Sequence, residues 1–127
     1  MSEQPSPYKG KQGFAHIFAA FNYSRDGFVA VFKDEPAFRL ILLEALILVP
    51  IAAITAKTFV IQVLLILPLV LSILVELLNS AIENTLDRIS LKIHPLTKKA
   101  KDMGSAAQFT SQLFLYFVWL NYLIVEW

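Results

Sequence analysis

The sequence predicts an all-α membrane protein: one amphipathic helix lying in the membrane interface, then three transmembrane helices. Three observations predict it. The 127 residues are 57% apolar and 17% charged, with a mean hydropathy of +0.61, against about 45–50% and about 25% in soluble globular chains. Thr58 to Val75 and Met103 to Val125 contain no charged residue, and a helix of about 20 residues crosses a hydrocarbon core about 30 Å thick. These stretches also lack the polar stripe at every third or fourth residue that a soluble helix presents to water.

Residues 1–12 are polar, with Pro5 and Pro7 and no apolar run, and are expected to be disordered. No cleavable signal peptide is predicted there, so the first span itself directs insertion. Residues 13–127 then form a single membrane domain. Over 13–34, Phe14, Ile17, Phe18, Phe21, Phe28 and Phe32 fall within about 100° of one another at about 100° per residue. Asn22, Asp26 and Lys33 lie outside that arc. A helix of this kind before a span lies in the interface with its phenylalanines at the acyl boundary. Gly27 and the Asn22-Tyr23-Ser24 cluster predict a break in it. The first span covers 36–56, apolar apart from Arg39 and Glu44, with a kink expected at Pro50. The second covers 58–90 and the third 101–125, joined by a polar loop over 88–101.

Charge placement sets the orientation. Of the eleven Lys and Arg residues, Lys9, Lys11, Arg25, Lys33 and Arg39 precede or open the first span, and Arg88, Lys92, Lys98, Lys99 and Lys101 lie between the second and third. Only Lys57 sits in the first hairpin. The N-terminus and the 88–101 loop are therefore expected in the cytoplasm, with residues 56–58 and Trp127 outside. The net charge of +1 offers no electrostatic case for nucleic acid. Low charge excludes a disordered chain, and the absence of cysteine excludes a disulfide scaffold or a thiolate metal site.

The second helix continues past its apolar run as VELLNSAIENTLDR, with no Gly or Pro until Pro95. Glu76, Asn79, Ser80, Glu83 and Asp87 share one face within about 100°. A carboxylate at membrane depth costs at least about 2.5 kcal/mol, so it faces protein, water or an ion. Two readings follow. The acidic face pairs with Arg39 or the loop basics, or it holds a cation. Carboxylate and amide oxygens are hard ligands suited to Mg²⁺, which in such sites usually bridges to phosphates and so points to a nucleotide. Zinc is disfavoured, since only His16 and His94 are available. The run LTKKAKDMGSAA then brings Lys101 and Asp102 to the opening of the third helix, followed by small residues that permit close approach of another helix or a phosphate. No phosphate-binding Gly-rich loop occurs, so phosphoryl transfer here needs a site built from helix ends.

ELLNSAIENTLDRI at Glu76 to Ile89, followed by AKDMGSAA at Ala100 to Ala107, resembles the bacterial integral-membrane diacylglycerol kinase family. The match includes Gly13-Phe14, Tyr23-Ser24, EPAFR at Glu35 to Arg39, and Trp119. The resemblance implies a homotrimer of three-span subunits with active sites shared between neighbours in the bacterial inner membrane. It implies transfer of the γ-phosphate of MgATP to diacylglycerol at the cytoplasmic face, giving phosphatidic acid. Glu76 would be the general base, supported by Asn79, and Glu35 and Glu83 would hold Mg²⁺ and thereby the ATP phosphates. Tyr23, His94, Lys101, Asp102 and His16 would contact the nucleotide; Ser24, Phe38, Arg39, Ser105 and Trp119, with Glu76, would line the lipid path. The chain departs from the family pattern at His16, where an arginine is usual, and at Leu40-Ile41, where a glutamine-glutamate pair is usual; Glu44 lies one turn on.

Undecaprenol kinase shares the fold and acidic motif and differs in its lipid. A cation path or non-catalytic assembly would use the carboxylate face without ATP, and a trimerisation module would tolerate loss of the Glu76 charge. ATP dependence separates these readings.

Overall fold

The computed structural model describes residues 13–126. Over them run four helices, α1 (Gly13–Asp34), α2 (Pro36–Thr55), α3 (Phe59–Ile89) and α4 (Pro95–Val125), with no strand among the described residues. The expected disorder of residues 1–12 and the expected outside position of Trp127 fall outside the described residues. The chain divides into two compact units, Met1–Asp34 and Glu35–Trp127.

The first unit's helix is unbroken, contrary to the break expected at Asn22-Tyr23-Ser24 and Gly27. Ser24 Oγ donates to the Ala20 carbonyl at 2.9 Å, turning its polarity back onto the helix. A lone interior glycine costs only about 1 kcal/mol. Phe14, Phe18 and Phe21 are all well exposed on this helix.

In the second unit, Pro36 fits the first turn of α2, where a missing N–H costs nothing, and α2 continues unbroken through Pro50. The Thr58 side chain caps α3, accepting from the Ile61 N–H at 3.2 Å. The start of α4 lies at Pro95 rather than at 101, because His94 Nδ1 accepts from the Leu96 N–H at 3.1 Å and Pro95 presets the helical φ. The expected 88–101 loop therefore contracts to Ser90–His94, and Lys98, Lys99 and Lys101 become helical.

Helices α2 and α3 are long and apolar enough to cross a membrane. Each of α3 and α4 has 31 residues, which at 1.5 Å per residue is about 46 Å, longer than the hydrocarbon core. By the same measure α4 falls short in apolarity, because Gln108, Ser111, Gln112 and Asn121 interrupt it.

Both α2 and α4 pack on α3. Contacts march in opposite directions along α3 and α4: Leu65 with Trp119, Ser72 with Gln112, Glu76 with Gln108, Asp87 with Lys101. The two helices are antiparallel. Links from Glu44 to Gln112 and from Thr55 to Tyr122 rise together, so α2 and α4 run parallel. The core lies towards the Leu65 end, where Ala45, Ala52, Leu65, Leu69, Leu115, Trp119 and Tyr122 interlock. Pro68 cannot donate to the Leu64 carbonyl, and the neighbouring Leu65 carbonyl accepts the Trp119 indole N–H at 3.1 Å. Outside this core Leu46, Ile54, Leu78, Phe117 and Ile124 are each more than half exposed. So much exposed apolar surface suits lipid or partner chains rather than water.

Candidate functional site

Glu76 is 5% exposed on α3. Gln108 on α4 donates through Nε2 to Glu76 Oε2 at 2.9 Å, and the same Nε2 reaches the Ser72 carbonyl at 3.1 Å. Ser72 Oγ donates to Gln108 Oε1 at 3.2 Å and accepts from Gln112 Nε2 at 2.6 Å. Gln112 Nε2 also donates to Glu44 Oε1 on α2 at 3.2 Å. A polar seam thus crosses all three helices and ends in a carboxylate on either side. Two i, i+4 pairs, Ser72 with Glu76 and Gln108 with Gln112, each present two polar groups on one helix face, which is why antiparallel helices can zip them together.

One turn beyond Glu76, Asn79 is buried against Gly104 of α4, and a Cβ at Gly104 would run into the Asn79 side-chain amide. Asn79 Oδ1 is buried without a hydrogen-bond partner, as are Ser80 Oγ and Ser111 Oγ. Glu83, a further turn along, is half-buried and makes no hydrogen bond or ion pair among the described residues. Its charge reaches Lys101. Lys101 Nζ meets Asp87 Oδ1 at 2.8 Å, tying the ends of α3 and α4 together. Lys98 pairs with Asp102 at 2.6 Å; the hydrogen bond to that carboxylate, and then its charge, hold the exposed Lys98 ammonium above its ordinary range. Pro95, Lys98, Lys99, Asp102, Met103 and Ala106 line a shallow cleft of about 470 Å³ on α4.

The acidic face expected from the sequence is therefore one face of α3, with Glu76 and Asn79 buried, Glu83 half-buried, and Asp87 and Lys101 joined beside it. Ser105 is exposed on α4, one position from Gly104. His94 serves as the cap of α4. Glu35 is the N-cap of α2 without a side-chain cap bond, Phe38 is buried and Arg39 exposed on the first turn. Trp119 is buried at the Leu65 end, edge-on to Tyr122, well along α4 from Glu76. His16, Tyr23 and Ser24 stand on α1 in the other unit.

No three Asp, Glu or His side chains come together to cage a metal among the described residues. The donors that fit a divalent cation are hard oxygens. Mg²⁺ is usually held by one or two carboxylates, with phosphates and water filling the other positions, and Glu83 offers one such uncommitted carboxylate. Asp87 is engaged by Lys101.

Gln108, Ser72 and Gln112 were not anticipated from the sequence. A signal was present: two glutamines four residues apart in an otherwise apolar helix ask for partners.

Residues 22–123 match the family model described as prokaryotic diacylglycerol kinase. The chain is 46% identical over 120 residues to a diacylglycerol kinase of Pseudomonas aeruginosa, covering 94% of this chain and 98% of that protein. It is 45% identical over 124 residues to one of Helicobacter pylori, covering 98% and 96%. Similarity to the Escherichia coli protein of the same name is 44% over 95 residues, covering 75% and 78%.

Proposed function

Because the chain belongs to the prokaryotic diacylglycerol kinase family, we propose that it transfers the γ-phosphate of MgATP to the free hydroxyl of 1,2-diacylglycerol. The product is phosphatidic acid, formed at the cytoplasmic face of the bacterial inner membrane. The observation that carries the site assignment is the buried Glu76 carboxylate, held through one oxygen by Gln108, with the uncommitted Glu83 two turns along the same face.

Glu76 takes the proton of the acceptor hydroxyl as its oxygen attacks the γ-phosphorus. The bond from γ-phosphorus to the bridging oxygen breaks, and ADP leaves with that oxygen. Phosphoryl transfer is mostly positioning and charge stabilisation, so helix ends can perform it without a Gly-rich loop. Asn79, one turn along the same face, supports Glu76. Glu83 and Glu35 hold the metal ion, and Mg²⁺, when bound, neutralises phosphate charge. Lys101, Asp102, His94, Tyr23 and His16 contact the nucleotide; Ser24, Phe38, Arg39, Ser105 and Trp119 border the lipid path.

α4 is the third span in this reading. It runs back antiparallel along α3 from Asp87 to Leu65, so a membrane crossed by α3 is crossed by α4. Arg88, Lys92, Lys98, Lys99 and Lys101 mark the cytoplasmic end, which leaves Lys57 and the end of α4 outside. The working unit is a homotrimer with shared sites, as the family resemblance implies.

Labelled γ-phosphate transfer in mixed micelles tests this, with diacylglycerol and undecaprenol offered side by side. Labelled phosphatidic acid is the expected product; labelled undecaprenyl phosphate would keep the chemistry and change the lipid, and label in neither lipid would end the kinase reading. Glu76→Gln is expected to cut turnover severely while MgATP binding survives, and Glu83→Gln to weaken MgATP binding itself. Wild-type turnover in both variants would overturn the site.

A further inference from the structure

We infer that Gln108 is the positioning residue of Glu76, its carboxamide anchored by Ser72 and Gln112 so that one carboxylate oxygen is fixed and the other is presented to the acceptor hydroxyl. This rests on the reading of Glu76 as general base.

The orientation of the amide is determined by its neighbours. Nε2 faces two acceptors, Glu76 Oε2 and the Ser72 carbonyl, while Oε1 faces the Ser72 hydroxyl. Reversing the amide would set its oxygen against a carboxylate and a carbonyl together. Ser72 Oγ in turn donates to Gln108 and accepts from Gln112, so the donors point one way along the seam, from Gln112 through Ser72 and Gln108 to Glu76. Bonds aligned in this sense polarise one another. Glu76 Oε1 makes no hydrogen bond among the described residues and remains for the proton. A neutral amide orients a carboxylate without cancelling its charge; a lysine or arginine in its place would form an ion pair and compete with the proton. The Gln112 bond to Glu44 ties the far end of the seam to α2, so the direction of Glu76 is set by all three helices of the unit.

A general base must sit within hydrogen-bond reach of its proton, and a misplacement of about 1 Å can cost on the order of a hundredfold in rate. Gln108→Leu keeps bulk and removes the donor. The expected result is a kcat lower by about tenfold to a hundredfold, with KM for MgATP and for diacylglycerol within about twofold of wild type, the signature of an interaction realised in the transition state. Ser72→Ala, which leaves the Glu76 contact but loosens the amide, is expected to lower kcat by about threefold to tenfold with the same KM values. Ser72→Ala also decides the matter if Gln108→Leu does not assemble in detergent. A folded Gln108→Leu, or in its absence a folded Ser72→Ala, with wild-type kcat would overturn the inference, and so would a raised KM with kcat unchanged. Glu76→Gln, run alongside, separates the failures: if it retains turnover, the general-base reading falls and this inference with it; if it loses turnover while Gln108→Leu does not, Gln108 alone is wrongly assigned.

Discussion

Gly104 shows how little room the site leaves at the scale of one side chain. The place a Cβ would take there is already filled by the Asn79 side-chain amide of α3. Gly104→Ala must push Asn79 away, and overpacking of this kind costs about 1–3 kcal/mol. Thermal unfolding of the detergent-solubilised variant by circular dichroism should show a lower midpoint, and the kinase assay a lower turnover, since Asn79 lies one turn from Glu76. Wild-type values for both would mean that the α3–α4 spacing relaxes freely there. The residues of the acidic face were legible in the sequence, because a carboxylate in an apolar helix is anomalous on its own. The Gln108 contact was not, since a glutamine has no unique partner until the register between two helices is known, and register is a property of the pair.

At the scale of the element, α1 lies where the phenylalanine spacing put it and α2 and α3 where the apolar runs put them, while hydropathy misplaced the start of α4. Hydropathy sees the charge-free run from Met103; the helix begins where backbone chemistry begins it, at the His94 cap and Pro95. Three lysines near a helix N-terminus oppose its dipole, and the Asp102 and Asp87 carboxylates offset that for Lys98 and Lys101. His94→Ala removes the capping acceptor at a cost of about 0.5–2 kcal/mol, and His94→Asn restores one. Hydrogen exchange should quicken at the Leu96 and Thr97 amides in the alanine variant and return towards wild type in the asparagine variant. Equal exchange in all three would show that Pro95 alone starts the helix. The unbroken α1 teaches the converse: Gly27 and a polar cluster weaken a helix without ending it, and Ser24 turns its hydroxyl back onto the Ala20 carbonyl.

At the largest scale, the second unit is organised by α3, which carries α2 and α4 on its sides and the acidic face at one end. Its membrane topology is open to a direct test, because the sequence has no cysteine. Single-cysteine variants Lys57→Cys, Lys92→Cys and Glu126→Cys should divide under a membrane-impermeant maleimide: Lys57→Cys and Glu126→Cys label from the periplasmic side, and Lys92→Cys only after lysis. Protection of Glu126→Cys in intact cells would place both ends of α4 on one side and remove the third span. The all-helical architecture and the family were readable from composition and two motifs. A metal site was not, because the described residues do not bring three carboxylates together.

The polar seam has a consequence for how the protein is made. The fourth helix is too rich in amides to favour hydrocarbon as α2 and α3 do, yet Gln108 and Gln112 find every acceptor they use on those two preceding helices. Interhelical bonds in a bilayer are worth roughly 0.6 kcal/mol each, and up to about 2, enough to tilt a marginal partition. In the three-span reading α2 and α3 precede α4 in synthesis and would offer a receptive polar edge to the segment that follows, making chain order the assembly order. In the proposed reading, assembly and catalysis would draw on the same two glutamines.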